Sequence, residues 1–187
     1  VSVPDLMADE ATREQQAVQL RKRLYELHEE LGIEFPVYLM VTKADLMAGF
    51  NEHFASLTKE DRAQVWGFTL PYAEDGHHDQ TQVRSAFEGE FDLLQKRLDD
   101  GLPDMLLNEA DLHRRAIAYT LPQQFAGLRG ALGELVESVF TESKFGGLPI
   151  LRGVYFTSGT QEGTPFDRVL GALGRAFRIE GAVAAAA

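Results

Sequence analysis

Phe35-Pro36-Val37-Tyr38-Leu39-Met40-Val41-Thr42-Lys43-Ala44-Asp45 is the stretch whose reading decides the fold. Val37 to Val41 is unbroken and apolar, the pattern of a strand buried on both faces of a parallel sheet. Pro36 stands at its entrance, one of the few strand positions that tolerate a residue without an amide hydrogen. At its exit the composition turns abruptly to Thr42-Lys43-Ala44-Asp45. Open α/β sheets hold ligands in the crevice beyond the carboxyl ends of their strands. Thr42, Lys43 and Asp45 are therefore candidate site residues.

On the N-terminal side, Asp9 reads as the N-cap of a helix over 10–31. Leu20, Leu24, Leu27 and Leu31 form its apolar stripe, and Gly32 closes it at C′. On the C-terminal side a short helical segment spans 46–57. Thr58 then reads as an N-cap before acidic residues, and Gln64 to Leu70 as a short strand ended by Pro71. Residues 73–79 read as a polar loop. A helix over 81–98 is expected to break at Asp99-Asp100-Gly101-Leu102-Pro103, and a new helix to span 104–119. Pro122 suits the first turn of the next helix, whose apolar face is Phe125, Leu128, Leu132, Leu135, Val139 and Phe140. After a loop at 145–149 the opening pattern returns. Leu151 to Phe156 is a second apolar run, ending in Thr157-Ser158-Gly159. A last helix is expected over 166–177, packing through Val169, Leu170, Leu173 and Phe177. The chain thus divides into an α/β part at 1–45 and 148–180, a helical insertion at 46–147 and a low-complexity tail at 181–187.

The 187 residues suffice for one domain with a real core. With 29 acidic and 18 basic side chains the net charge is -11, which argues against nucleic acid and anionic lipid as partners. Cysteine is absent, excluding disulfides, thiolate metal sites and a cysteine nucleophile. No apolar run approaches the roughly 20 residues of a membrane span. The start at Val1 without Met and the alanine-rich end both read as cuts.

A carboxylate beyond a strand end can accept the two adjacent N–H groups of a guanine edge in a bidentate, charge-assisted pair. Adenine offers an acceptor there instead. Lys43 can lay its methylene stem along a base face while its ammonium stays in water. Ser158 and Gly159, at the second strand end, offer backbone N–H groups to a base oxygen. The plainer reading makes Asp45 a helix cap or ion-pair partner and Ser158 and Thr160 turn caps. His77-His78 with Glu74, Asp75 and Asp79 reads as solvated loop rather than a metal site. Trp66, Phe68 and Tyr72 read as core, with an exposed partner patch as the alternative.

Thr42-Lys43-Ala44-Asp45 resembles the [NT]-K-x-D base motif of GTPase-like P-loop proteins, and Thr157-Ser158-Gly159 their second base loop. The longer phrases F-P-V-Y-L-M-V-T-K-A-D-L-M-A-G-F, Q-V-W-G-F-T-L-P and R-G-V-Y-F-T-S-G-T-Q-E-G-T-P resemble the IcmF family of type VI secretion inner-membrane subunits. This resemblance runs to about Phe177. It implies a partial P-loop NTPase fold, the C-terminal part of a cytoplasmic domain anchored to a bacterial inner membrane. It implies assembly with TssL and TssJ, and contact with baseplate proteins such as TssK. It also implies GTP or ATP with Mg²⁺ as ligands of the full domain. The sequence departs from that pattern in one respect: it contains no G-x-x-x-x-G-K-[ST], so a phosphate cradle and its Mg²⁺-binding hydroxyl are missing from it. No catalytic residue and no cofactor is assigned within this chain. Thr42, where the motif often has Asn, weakens the expected guanine selectivity.

Overall fold

A computed structural model describes residues 1–58, 60, 64–71, 83–141 and 150–159. The expected loop with His77 and His78, Tyr72, the loop at 145–149, Thr160, the helix over 166–177 and the tail lie outside these residues. In chain order the elements are α1 (Val3–Leu6), α2 (Glu10–Leu31), β1 (Pro36–Val41), a 3₁₀ turn (Ala44–Leu46), α3 (Phe50–His53) and β2 (Trp66–Thr69). They continue with α4 (Val83–Asn108), α5 (Leu112–Ala118), α6 (Leu121–Ala126), α7 (Arg129–Phe140) and β3 (Ile150–Phe156).

Local chemistry accounts for the element ends. Ser2 caps α1 in a capping box: its amide and hydroxyl both donate to the Asp5 carboxylate, at 2.8 and 2.7 Å. Asp9 caps α2 by accepting the Thr12 amide at 2.9 Å. Gly32 ends α2 in the left-handed region, φ 65°, and donates to the His28 carbonyl.

The sheet has the order β1-β3-β2. β1 and β3 run parallel, with Val41 opposite Phe156. β2 adds to the other edge of β3 antiparallel, with Trp66 opposite Phe156 and Phe68 opposite Val154. The sheet is therefore mixed, which corrects the expectation of an all-parallel one. A strand that lies within the block 46–147 supplies the third member. Antiparallel edge strands on parallel pairs are common, because an edge position leaves the direction of the newcomer free.

One face of the sheet carries Val41, Val154, Phe156 and Phe68 into a single hydrophobic cluster with Phe87, Phe91, Phe125, Leu132, Val136 and Val139. Phe91 and Phe125 stack with centroids 4.5 Å apart. Arg129 on α7 clamps Asp92 on α4 at 2.8 and 3.1 Å, and Arg84 on α4 bridges to Glu137 on α7. α2 packs on α7, where Arg21 donates to the Ser138 and Thr141 carbonyls.

Two expectations need correction. α4 does not stop at Gly101 and Pro103; it runs through both to Asn108. Pro103 and Asp99 are exposed, so the carbonyl freed by the missing N–H faces water. Meanwhile Leu94, Leu98 and Met105 keep one buried stripe on both sides of the break. The leucine stripe of α2 is buried only in part: Leu24 packs against the core, while Leu20, Leu27 and Leu31 are exposed. Ala17 is the buried residue of that helix, and Leu31 is 56% exposed.

Candidate functional site at the strand ends

The parallel pairing of β1 and β3 sets their carboxyl ends side by side. The Thr157 amide donates to the Val41 carbonyl at 2.8 Å, and the Ala44 amide returns to the Thr157 carbonyl at 3.1 Å. These two bonds splice the loop after β1 to the loop after β3. They bring together side chains separated by over a hundred residues: the Ser158 hydroxyl donates to Asp45 Oδ1 at 2.9 Å.

Lys43 adopts φ 60°, ψ 38°, and among the described residues no other non-glycine has positive φ. That left-handed conformation carries a cost for a residue with a Cβ. It persists because the backbone is pinned on every side. Thr42 is bonded to Val1 and Val3, Ala44 to Thr157, and the Leu46 amide donates to the Lys43 carbonyl at 3.1 Å. The result is a sharp corner that buries Ala44 and leaves the Lys43 side chain in solvent.

The structure therefore gathers Lys43, Asp45, Ser158 and Gly159 at one sheet end. Thr42 is turned away from them: its hydroxyl approaches the Val1 carbonyl at 3.4 Å. Asp45 is half-buried and carries one hydrogen bond from Ser158, which leaves its second oxygen for further donors. Next to it opens a cavity of about 510 Å³ lined by Phe50, Phe54, Val65, Trp66 and Ser158. The rings of Phe50, Phe54 and Trp66 lie within 5.6 Å of each other, centroid to centroid. The buried indole Nε1–H of Trp66 has no acceptor among the described residues. Ser158 lines this cavity and holds Asp45 at its rim, while Asp45 itself is not among the lining residues. Sequence reasoning missed Phe50, Phe54 and the site-facing side of Trp66. Their aromatic character is visible in the sequence, but nothing local places them beside Ser158.

The sequence contains no G-x-x-x-x-G-K-[ST], and no cluster of three metal-ligating side chains occurs among the described residues. Behind the corner, Gly49 at φ 84° starts α3. A Cβ there would lie 2.5 Å from the Ile117 carbonyl oxygen. His53, at the end of α3, is buried, and burial pushes its pKa below the ordinary value. A hydrogen bond with the Ala118 backbone opposes that shift without cancelling it.

Residues 1–187 match the IcmF-related N-terminal domain family. The chain belongs to the IcmF-related family. It is 44% identical, over 181 residues, to the type VI secretion system component TssM1 of Pseudomonas aeruginosa PAO1. That alignment covers 96% of the chain but 16% of the relative. No solved structure matches the chain. Among the described residues no helix is long and apolar enough to cross a membrane.

Proposed function

We propose that this IcmF-related domain is a structural and assembly module of a type VI secretion membrane complex. In this reading it lies on the cytoplasmic side of the inner membrane, within a larger subunit that assembles with TssL and TssJ. It offers its surface to baseplate proteins such as TssK. The observation that carries the reading is the 44% identity across 96% of the chain to a protein named as a component of that system. Its architecture is proposed to be the C-terminal part of a P-loop NTPase-like domain, with residues 46–147 as the family-specific addition.

The test removes these residues in frame from the full-length protein and measures type VI secretion together with co-purification of TssL and TssK. Loss of secretion and of at least one partner is expected. Secretion at the unaltered level would overturn the assembly role.

A second reading is favoured by the Ser158–Asp45 contact and the aromatic cavity beside it. Here the strand ends are the base-facing edge of an NTP site, for GTP or ATP with Mg²⁺, whose phosphate-holding half lies outside this chain. Asp45→Ala in a longer form of the protein should then weaken GTP more than ATP. Equal loss, or none, would remove Asp45 from base recognition.

A further inference from the structure

The apolar run of β1 reads as a strand covered on both faces, yet the described elements cover one. Val37, Leu39 and Val41 turn toward the core, where Phe156 of β3 packs with Phe91 of α4 and Phe125 of α6. By alternation Tyr38 and Met40 turn to the other face, and there they are 51% and 43% exposed. Tyr155 and Thr69 share that face. The Tyr155 ring centroid lies 6.0 Å from that of Tyr38, and its hydroxyl is 2.6 Å from the Thr69 hydroxyl. The Tyr155 ring lies down over Gly67 and Gly153, since a Cβ at these positions would meet its atoms at 2.6 and 3.0 Å. Two strand glycines thus keep this face low, an apolar platform that another backbone can approach closely.

We infer that residues 166–177 dock on this platform as a helix, running back along β3 from its carboxyl end. At helical spacing Phe166, Val169, Leu170, Leu173 and Phe177 fall on one side, while Arg168 and Arg175 fall on the opposite one. Thr164 and Pro165 precede them as N-cap and first-turn residue. Gly171 and Gly174 make the segment a weak helix by itself, so it depends on a surface that takes its stripe.

The tether selects the face. The bond from the Thr157 amide to the Val41 carbonyl fixes the carboxyl end of β3, and the chain from Gly159 to Pro165 reaches at most roughly 20 Å when extended. A helix that starts within that reach returns along the sheet on one face or the other. The core face is filled, since Val41, Val154 and Phe156 are buried there. The face of Tyr38, Met40 and Tyr155 has room. The lengths agree, because a helix over 166–177 is about 18 Å long and β1 is about 20 Å. The aromatic cavity at the same sheet end, at about 510 Å³, is too small to take the whole stripe.

The chain contains no cysteine, so introduced pairs report this docking alone. In the 187-residue chain, Met40→Cys is combined with Leu170→Cys, with Leu173→Cys or with Arg175→Cys and oxidised. At least one of the two apolar pairs should close an intramolecular disulfide roughly fivefold or more faster than the Arg175 pair, because Cα atoms more than about 7 Å apart are not bridged without backbone movement. Failure of both apolar pairs, or equal rates for the Arg175 pair, would overturn the inference. Disulfide-linked dimers in place of the intramolecular bond would overturn it too, by giving the face to a second copy. Leu173→Asp supplies an independent readout with Met40→Cys as the single thiol. That thiol should react with a maleimide at least roughly threefold faster once Leu173→Asp is added, as a site does when its cover opens. An unchanged rate would contradict the docked helix.

Discussion

α7 and α2 carry apolar stripes of the same helical period, yet they end in opposite environments. On α7, Leu132, Val136, Val139 and Phe140 are buried against α4 and the sheet. On α2, Leu20, Leu27 and Leu31 stand in solvent, and the helix docks through Ala17, Leu24 and the Arg21 bonds to the end of α7. Periodicity reveals which residues share a face of a helix. It does not reveal whether the chain folds something onto that face. Among the described residues, Leu31 on α2 and Tyr38 on β1 stand exposed, while the stripe of α7 is covered.

Substitutions on the two helices should break that symmetry most visibly. Leu132→Ala empties a fully buried site and is expected to cost about 2–5 kcal/mol in denaturant unfolding. A loss below about 1 kcal/mol would mean that α7 is not the core helix described. Gly49→Ala comes next, at about 1–3 kcal/mol, because it combines positive φ with a Cβ driven into the Ile117 carbonyl. Unchanged thermal stability would place α3 elsewhere.

His53 gives a smaller effect with a definite sign. Its folded pKa lies below the unfolded value of about 6.5. Above that value neither state is protonated and stability is at its full level. As pH falls through it, the unfolded state takes up the proton first and stability declines until the folded pKa is passed. His53→Gln should flatten the part of the stability profile just below pH 6.5, and an unaltered slope would show that another group is responsible. Leu31→Ala on α2 should change stability by no more than about 0.5 kcal/mol, as exposed positions do. A loss matching that of Leu132→Ala would erase the contrast between the two helices.

Much of this architecture is legible in the sequence because its signals are local. The apolar run at 37–41, the cap at Asp9 and the stop at Gly32 each depend on a few neighbouring residues. The misreadings arise where distant contacts outweigh local preference. Gly101 and Pro103 are breakers by propensity, yet the burial of Leu98 and Met105 carries α4 across them. Val1 to Val3 read as a lead-in, while in the structure they cap a helix and hydrogen-bond to the end of β1. At the candidate site, two strand ends with polar exits suggested Lys43, Asp45, Ser158 and Gly159 as neighbours. The left-handed corner at Lys43 and the cavity formed by Phe50, Phe54 and Trp66 follow from the crossing of chain segments far apart in sequence, and no short motif announces them.

The central claim is the proposal that this domain acts as an assembly module and that the 187-residue chain alone does not hold nucleotide tightly. Titration of GTP and of ATP, each with Mg²⁺, into the 187-residue chain tests it most directly. The account predicts no saturable binding in the micromolar range for either nucleotide, since a carboxylate and an aromatic cavity alone leave the triphosphate in solvent. Saturable micromolar binding of either one would contradict it.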